Sequence, residues 1–98
     1  MKYRVTVAPE AKGDLFRLNA FLAERSADAA RRAMDAIDAG LRSLGEMPDR
    51  APERPQGVRE LMIPFGVAGY VVQFRVDHDT VIIARIFHMR EDRRGASL

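Results

Sequence analysis

A chain of 98 residues, 47% apolar and 31% charged, has the balance of a globular protein with one core and is too short for two domains. Its apolar runs fall far short of the roughly 20 residues that span a bilayer, so neither membrane anchor nor signal peptide is expected. The absence of cysteine excludes disulfides and thiolate metal sites, and with only His78 and His88 no metal or other cofactor is expected. Sixteen basic residues against 14 acidic ones, net +2, are too evenly spread for a polybasic nucleic-acid arm.

Tyr3, Val5 and Val7 alternate with Arg4 and Thr6, predicting a half-buried strand over 2–7. Pro9 presets the first helical turn, Glu10 and Asp14 sit where the helix dipole favours anions, and Leu15, Leu18 and Leu22 recur at helical spacing, predicting a helix over 9–24. Ser26 is a good N-cap for a second helix over 27–45, whose apolar stripe runs Ala30, Ala33, Met34, Ile37, Leu41 and Leu44. Only Arg25 and Ser26 separate the two segments, which forces an antiparallel hairpin. Three prolines in 47–57 predict a stiff loop without regular structure, lying against the body of the domain. Strand-like patterns then cover 58–63, 70–76 and 80–87, the last two joined by a tight Asp77-His78-Asp79 turn. The order β-α-α-β-β-β predicts an α+β fold, a helical hairpin packed on one face of a twisted, mainly antiparallel four-stranded sheet.

Fourteen of the 16 basic residues are arginine, a residue suited to bidentate carboxylate and phosphate contacts, although codon usage in a GC-rich genome gives the same composition. By strand alternation Arg59, Gln73 and Arg75 form a polar set on one sheet face. These arginines and Arg85 either line a binding surface or pair with Glu60 and Asp77. His88 is either an acid–base group or a strand-end histidine bonded to the backbone. Arg90, Arg93 and Arg94 either contact a target or pair with Glu91 and Asp92. Tyr70 reads as core and His78 as exposed. Phe16, Phe21 and Met34 lie off the main apolar lines of the hairpin and are candidates for a partner groove.

The segments Val58-Arg59-Glu60-Leu61, Gly69-Tyr70-Val71-Val72-Gln73-Phe74-Arg75-Val76 and Val81 through Phe87-His88-Met89-Arg90-Glu91-Asp92 resemble the C-terminal half of ParE-type toxins. Pro9-Glu10-Ala11-Lys12-Gly13-Asp14-Leu15 is similar to that family's opening of the first helix, so the resemblance spans essentially the whole chain. It implies the toxin of a type II toxin–antitoxin pair in the ParE/RelE superfamily. Such a toxin is cytoplasmic, inhibits DNA gyrase without catalysis of its own, and is neutralised by a ParD-like antitoxin in a hetero-oligomer. Sequence-specific DNA binding by the toxin alone is not implied.

RelE-like members cut messenger RNA on the ribosome, which requires a base, cations for the in-line phosphate and an acid. Their Lys-x-Lys pair and the arginine after Gly-Tyr read here as Arg59-Glu60-Leu61 and Val71, which leaves one of three cations and favours the ParE branch. The ribonuclease alternative would use Arg59, Arg75 and His88. A third reading is an inactive member that only binds its antitoxin or regulates its operon. On the toxin reading Arg59, at the family's Leu-Arg position, with Arg75, Arg85, His88, Arg90 and Arg93, are the candidates for target contact, and Phe16, Phe21 and Met34 for the antitoxin.

Overall fold

The computed structural model describes residues 3–91. Strand β1 (Arg4–Val7) leads into helices α1 (Pro9–Ala23) and α2 (Ala27–Ser43), and β2 (Arg59–Phe65), β3 (Ala68–Asp77) and β4 (Thr80–His88) follow. The sheet order is β1-β4-β3-β2. Strand β1 runs parallel to β4, while the other pairs are antiparallel. A helical hairpin lies between β1 and the meander, which lets the first strand return beside the last in the parallel sense that a hairpin turn cannot supply. The α+β architecture expected from the sequence is the one observed.

The two helices start for different reasons. Pro9 opens α1 without a side-chain cap, its missing N–H costing nothing at that position. Ser26 opens α2, and its hydroxyl oxygen accepts the N–H of Ala29 at 3.1 Å. Replacing Ser26 by alanine is expected to lower stability by about 1 kcal/mol, read as a shift in the urea midpoint at unchanged slope. Ala33, Ile37, Leu41 and Leu44 of the α2 stripe enter one core with Leu61 and Ile63 of β2, Val72 and Phe74 of β3, and Val81, Ile83 and Ile86 of β4. Gly40 sets the closest approach, since a methyl group there would strike the side chain of Ile63. On the outer face of α2, Asp28 pairs with Arg31 and Arg32 at helical spacing, and Asp38 pairs with Arg42. Exposed pairs of this kind add little stability, but they account for part of the arginine content.

The proline-rich stretch does lie against the body, with Pro48 and Ala51 buried. Contrary to expectation it is not devoid of regular structure: Pro48–Arg50 forms a single 3-10 turn, while Pro55–Gly57 forms a tight turn in which Gln56 and Gly57 take positive φ. Proline stands first in both, where no intrahelical donor is needed. Strand β2 runs two residues beyond the predicted Ile63. The N–H of Glu60 points away from β3, to the carbonyl of Pro52, and Pro64, four residues on, shares that outward orientation. Its missing donor therefore costs no ladder bond, and it blunts the edge against strand addition.

A bulge between β3 and β4 inserts Ala84, because Gln73 pairs with Arg85 and Phe74 with Ile83. The extra residue reverses the alternation. Val81 and Ile83 face the helices before it, Ile86 faces them after it, and Arg85 and Phe87 turn to the opposite face beside Gln73 and Val71.

Candidate functional site

The register corrects the expected polar face. Glu60, not Arg59, is opposite Gln73, and Arg59 is opposite Phe74, so Arg59 starts on the helix side of the sheet. Gln73 donates to Glu60 at 2.8 Å, and Arg54 reaches the same carboxylate at 3.2 Å. The bonds of Arg59 and Arg75 go to the proline-rich stretch. Arg59 donates to the carbonyl of Ala51 at 2.7 Å and lies 3.7 Å from Glu53, while Arg75 donates to the carbonyl of Gln56 at 2.6 Å. Both arginines nonetheless line one cleft of about 570 Å³, together with Asp49, Glu53 and Asp77.

His88 is not part of that cleft. It lies opposite Tyr70 at the far end of β3, five residues from Arg75, or roughly 17 Å along an extended strand. Its ring meets the Tyr70 ring edge-on, with centroids 5.6 Å apart, and its Nδ1 accepts the backbone N–H of Arg90 at 3.1 Å. Burial among these groups, with the Glu91 charge nearby, raises the pKa of the Tyr70 hydroxyl. Arg90 is exposed, and Arg93 and Arg94 lie outside the described residues.

Arg85 is engaged in a way that no local pattern signals. Strand β1 ends at Val7, opposite Ile83, so β4 beyond that point has no strand on this side. Helix α1 takes the strand's place. The Asp14 carboxylate accepts the N–H of Ile86 at 2.8 Å, and Arg17 donates to the carbonyl of the same residue at 3.4 Å. Arg85 reaches round the edge to Asp14 in a bidentate pair at 2.8 and 3.1 Å, its guanidinium 4.7 Å from the centre of the Phe87 ring. Arg17 also pairs with Asp14 and with Glu91, and Glu91 accepts the N–H of His88 at 2.9 Å. Burial pushes the Asp14 carboxyl up, but the hydrogen bonds from Arg85, the Ile86 N–H and Arg17 outweigh it, so its pKa falls below the ordinary value. The bonds between Asp14 and Arg85 also raise the pKa of Arg85.

On the helical layer, Phe16 is 78% exposed and Phe21 56% exposed, while Arg25 covers one face of the Phe21 ring at 3.9 Å. Met34 differs: it is half-buried and packs against the core, which makes it part of the hairpin's own interior. Among the described residues, no group of three or more histidines or carboxylates is arranged to hold a metal ion.

Comparison with known proteins bears on this arrangement. Residues 5–93 match the family model of the ParE toxin of the type II toxin–antitoxin system, parDE. Toxin RelE3 of Caulobacter vibrioides is 42% identical over 89 residues, which cover 91% of this chain and 97% of the relative. Toxin RelE1 of the same organism is 39% identical over 93 residues, 95% of this chain and 100% of the relative. Among solved structures, the chromosomal ParDE system of P. aeruginosa gives a TM-score of 0.75 at 21% identity, covering 89% of this chain and 96% of that one. The RelBE2 toxin–antitoxin complex of Mycobacterium tuberculosis gives 0.64 at 25% identity, covering 90% and 99%.

Proposed function

The chain belongs to the ParE family of type II toxin–antitoxin toxins, and from that premise we propose that it inhibits DNA gyrase by protein contact and is neutralised by a ParD-like antitoxin in the cytoplasm. The observation that carries this reading is the separation of Arg59 and Arg75 from His88. Phosphodiester cleavage needs its base within hydrogen-bond reach of the attacked group and its cations on the same phosphate. A base roughly 17 Å along the strand from the paired guanidiniums does not meet that need. His88 is instead a strand-end residue engaged with the backbone, and Arg85 is held by Asp14. Target contact then falls to Arg59 and Arg75 in their cleft, with Arg90 and Arg93 as further candidates. No helix of the described residues is long and apolar enough to cross a membrane.

One observation favours the ribonuclease reading: both curated relatives carry the name RelE. Controlled expression without antitoxin separates the two. Early arrest of DNA synthesis with intact messages is the expected result. Early loss of translation with cut messages would establish the ribonuclease, and growth without arrest would leave an antitoxin-binding protein.

Phe16 and Phe21 are exposed apolar side chains on α1 that the toxin's own core does not use, and Phe16, the more exposed, offers the antitoxin an anchor. Phe16→Asp is expected to weaken antitoxin binding about thirtyfold, the effect of losing a buried aromatic anchor worth about 2 kcal/mol. Titration calorimetry against the antitoxin measures it, and unchanged thermal unfolding of the free variant shows the loss to be local.

A further inference from the structure

We propose that the cleft holding Arg59 and Arg75 is a receptor for an acidic side chain of a protein segment and rejects polynucleotide. The inference rests on the reading of the chain as a toxin that acts by contact with a protein. Arg75 is half-buried, donates to the Gln56 carbonyl at 2.6 Å, and pairs with no carboxylate among the described residues. Its position is held by backbone in an uncommon conformation, since Gln56 and Gly57 both have positive φ, 70° and 75°. A non-glycine residue persists there only when its surroundings over-determine it. Arg59 is fixed in the same manner by the Ala51 carbonyl. The Arg75 guanidinium is therefore oriented by a neutral acceptor, and its charge remains available for an anion in a cleft of about 570 Å³, while Arg59 is shared between the Ala51 carbonyl and the Glu53 carboxylate 3.7 Å away.

The rest of the lining decides which anion. Asp49, Glu53 and Asp77 border the same cleft, three negative charges around two positive ones. A phosphate chain brings a charge with every nucleotide and depends on an excess of cations, so its flanking phosphates would meet this rim of carboxylates. A glutamate or aspartate flanked by lysine or arginine satisfies both parts: the carboxylate takes the Arg75 fork and its basic neighbours take the rim. Opposite charges in register also exclude the wrong class of partner.

The test titrates the intact protein with a labelled peptide Gly-Lys-Glu-Lys-Gly and, separately, with single-stranded oligouridylate, following amide chemical shifts. Saturable peptide binding is expected, shifting resonances around Arg59 and Arg75, weakened about tenfold by Arg75→Gln and lost when glutamine replaces the peptide's glutamate. Oligouridylate should not saturate the cleft of the wild-type protein, whereas the double variant Asp49→Asn and Asp77→Asn should begin to bind it. Oligouridylate binding to the wild type that Arg75→Gln weakens would overturn the proposal, as would peptide binding indifferent to Arg75→Gln or absent altogether. Growth arrest on expression is scored in parallel. Arrest of DNA synthesis without peptide binding defeats the cleft assignment alone, whereas cut messages defeat the protein-contact reading on which it rests.

Discussion

Replacing Asp14 with alanine is expected to lower the folding free energy by about 2–3 kcal/mol, below the range for a fully buried ion pair because the arginines left behind reach water. Asp14 is 4% exposed and serves three donors, Arg85, Arg17 and the Ile86 N–H. Without it, the strand edge that α1 covers keeps an unpaired N–H beside two cations. Asp14→Asn conserves volume and one acceptor oxygen, so its loss should be smaller but clear.

The effect carries a pH signature of fixed sign. In the fold the carboxyl titrates below its ordinary value of 3.8, so its contribution is fully present above that value. It is lost as pH falls from there through the folded pKa. Wild type and Asp14→Asn should therefore differ by a constant amount from about pH 7 down to about pH 5 and converge below about pH 4. Urea denaturation across this range measures both, and a loss under about 1 kcal/mol without convergence would mean that the network is ornamental to the fold.

Gly69→Ala is expected to cost on the order of 3 kcal/mol or more, since it combines backbone strain with overpacking. Gly69 has φ +142° and stands opposite Pro64 where β3 begins. A Cβ there would run into the carbonyl oxygen of Ile63, which is ladder backbone with no rotamer by which to yield. The neighbouring Gly66 supplies a control. It has φ +63°, and a methyl group added there would meet nothing within 4 Å. Asparagine tolerates that conformation, so Gly66→Asn should cost less than about 1 kcal/mol. Equal losses at the two positions by thermal unfolding would refute the steric account.

Periodicity made β1 and the two helices legible because each of them buries one face, while β3, buried on both faces from Gly69 to Phe74, is legible as a continuous apolar run. The leucines of α1 and the α2 stripe lie where the pattern places them. What escaped was set by relations across the chain. Asp14 reads locally as an anion suited to the first turns of a helix, yet it shares the buried side of α1 with Ala11 and Leu18. An acid on an apolar stripe was the available signal, and its partners Arg85 and Ile86 lie at the other end of the sequence. The face of Arg59 follows from cross-strand register, which alternation within a single strand does not contain. The Ala84 bulge is likewise invisible to a period-two reading, which keeps Ile82, Ala84, Ile86 and His88 on one face where the pairing divides them. Phe16 and Phe21 do lie off the core lines. Met34 does not, since a long flexible side chain beside the stripe can still reach inward.

Strand β1 and helix α1 are made early, yet most of what holds them comes from β4. The parallel pairing of Val5 with Val81 and the Asp14–Arg85 pair join opposite ends of the fold. During synthesis, which proceeds at about 5–20 residues per second, the helical hairpin leaves the ribosome with its apolar face unmatched and waits several seconds for its last strand. Contacts of such long sequence separation also slow folding. Nascent chains that lack β4 should accordingly hold α1 only loosely, and an antitoxin that reads Phe16 on the packed helix would engage the toxin only once β4 has paired.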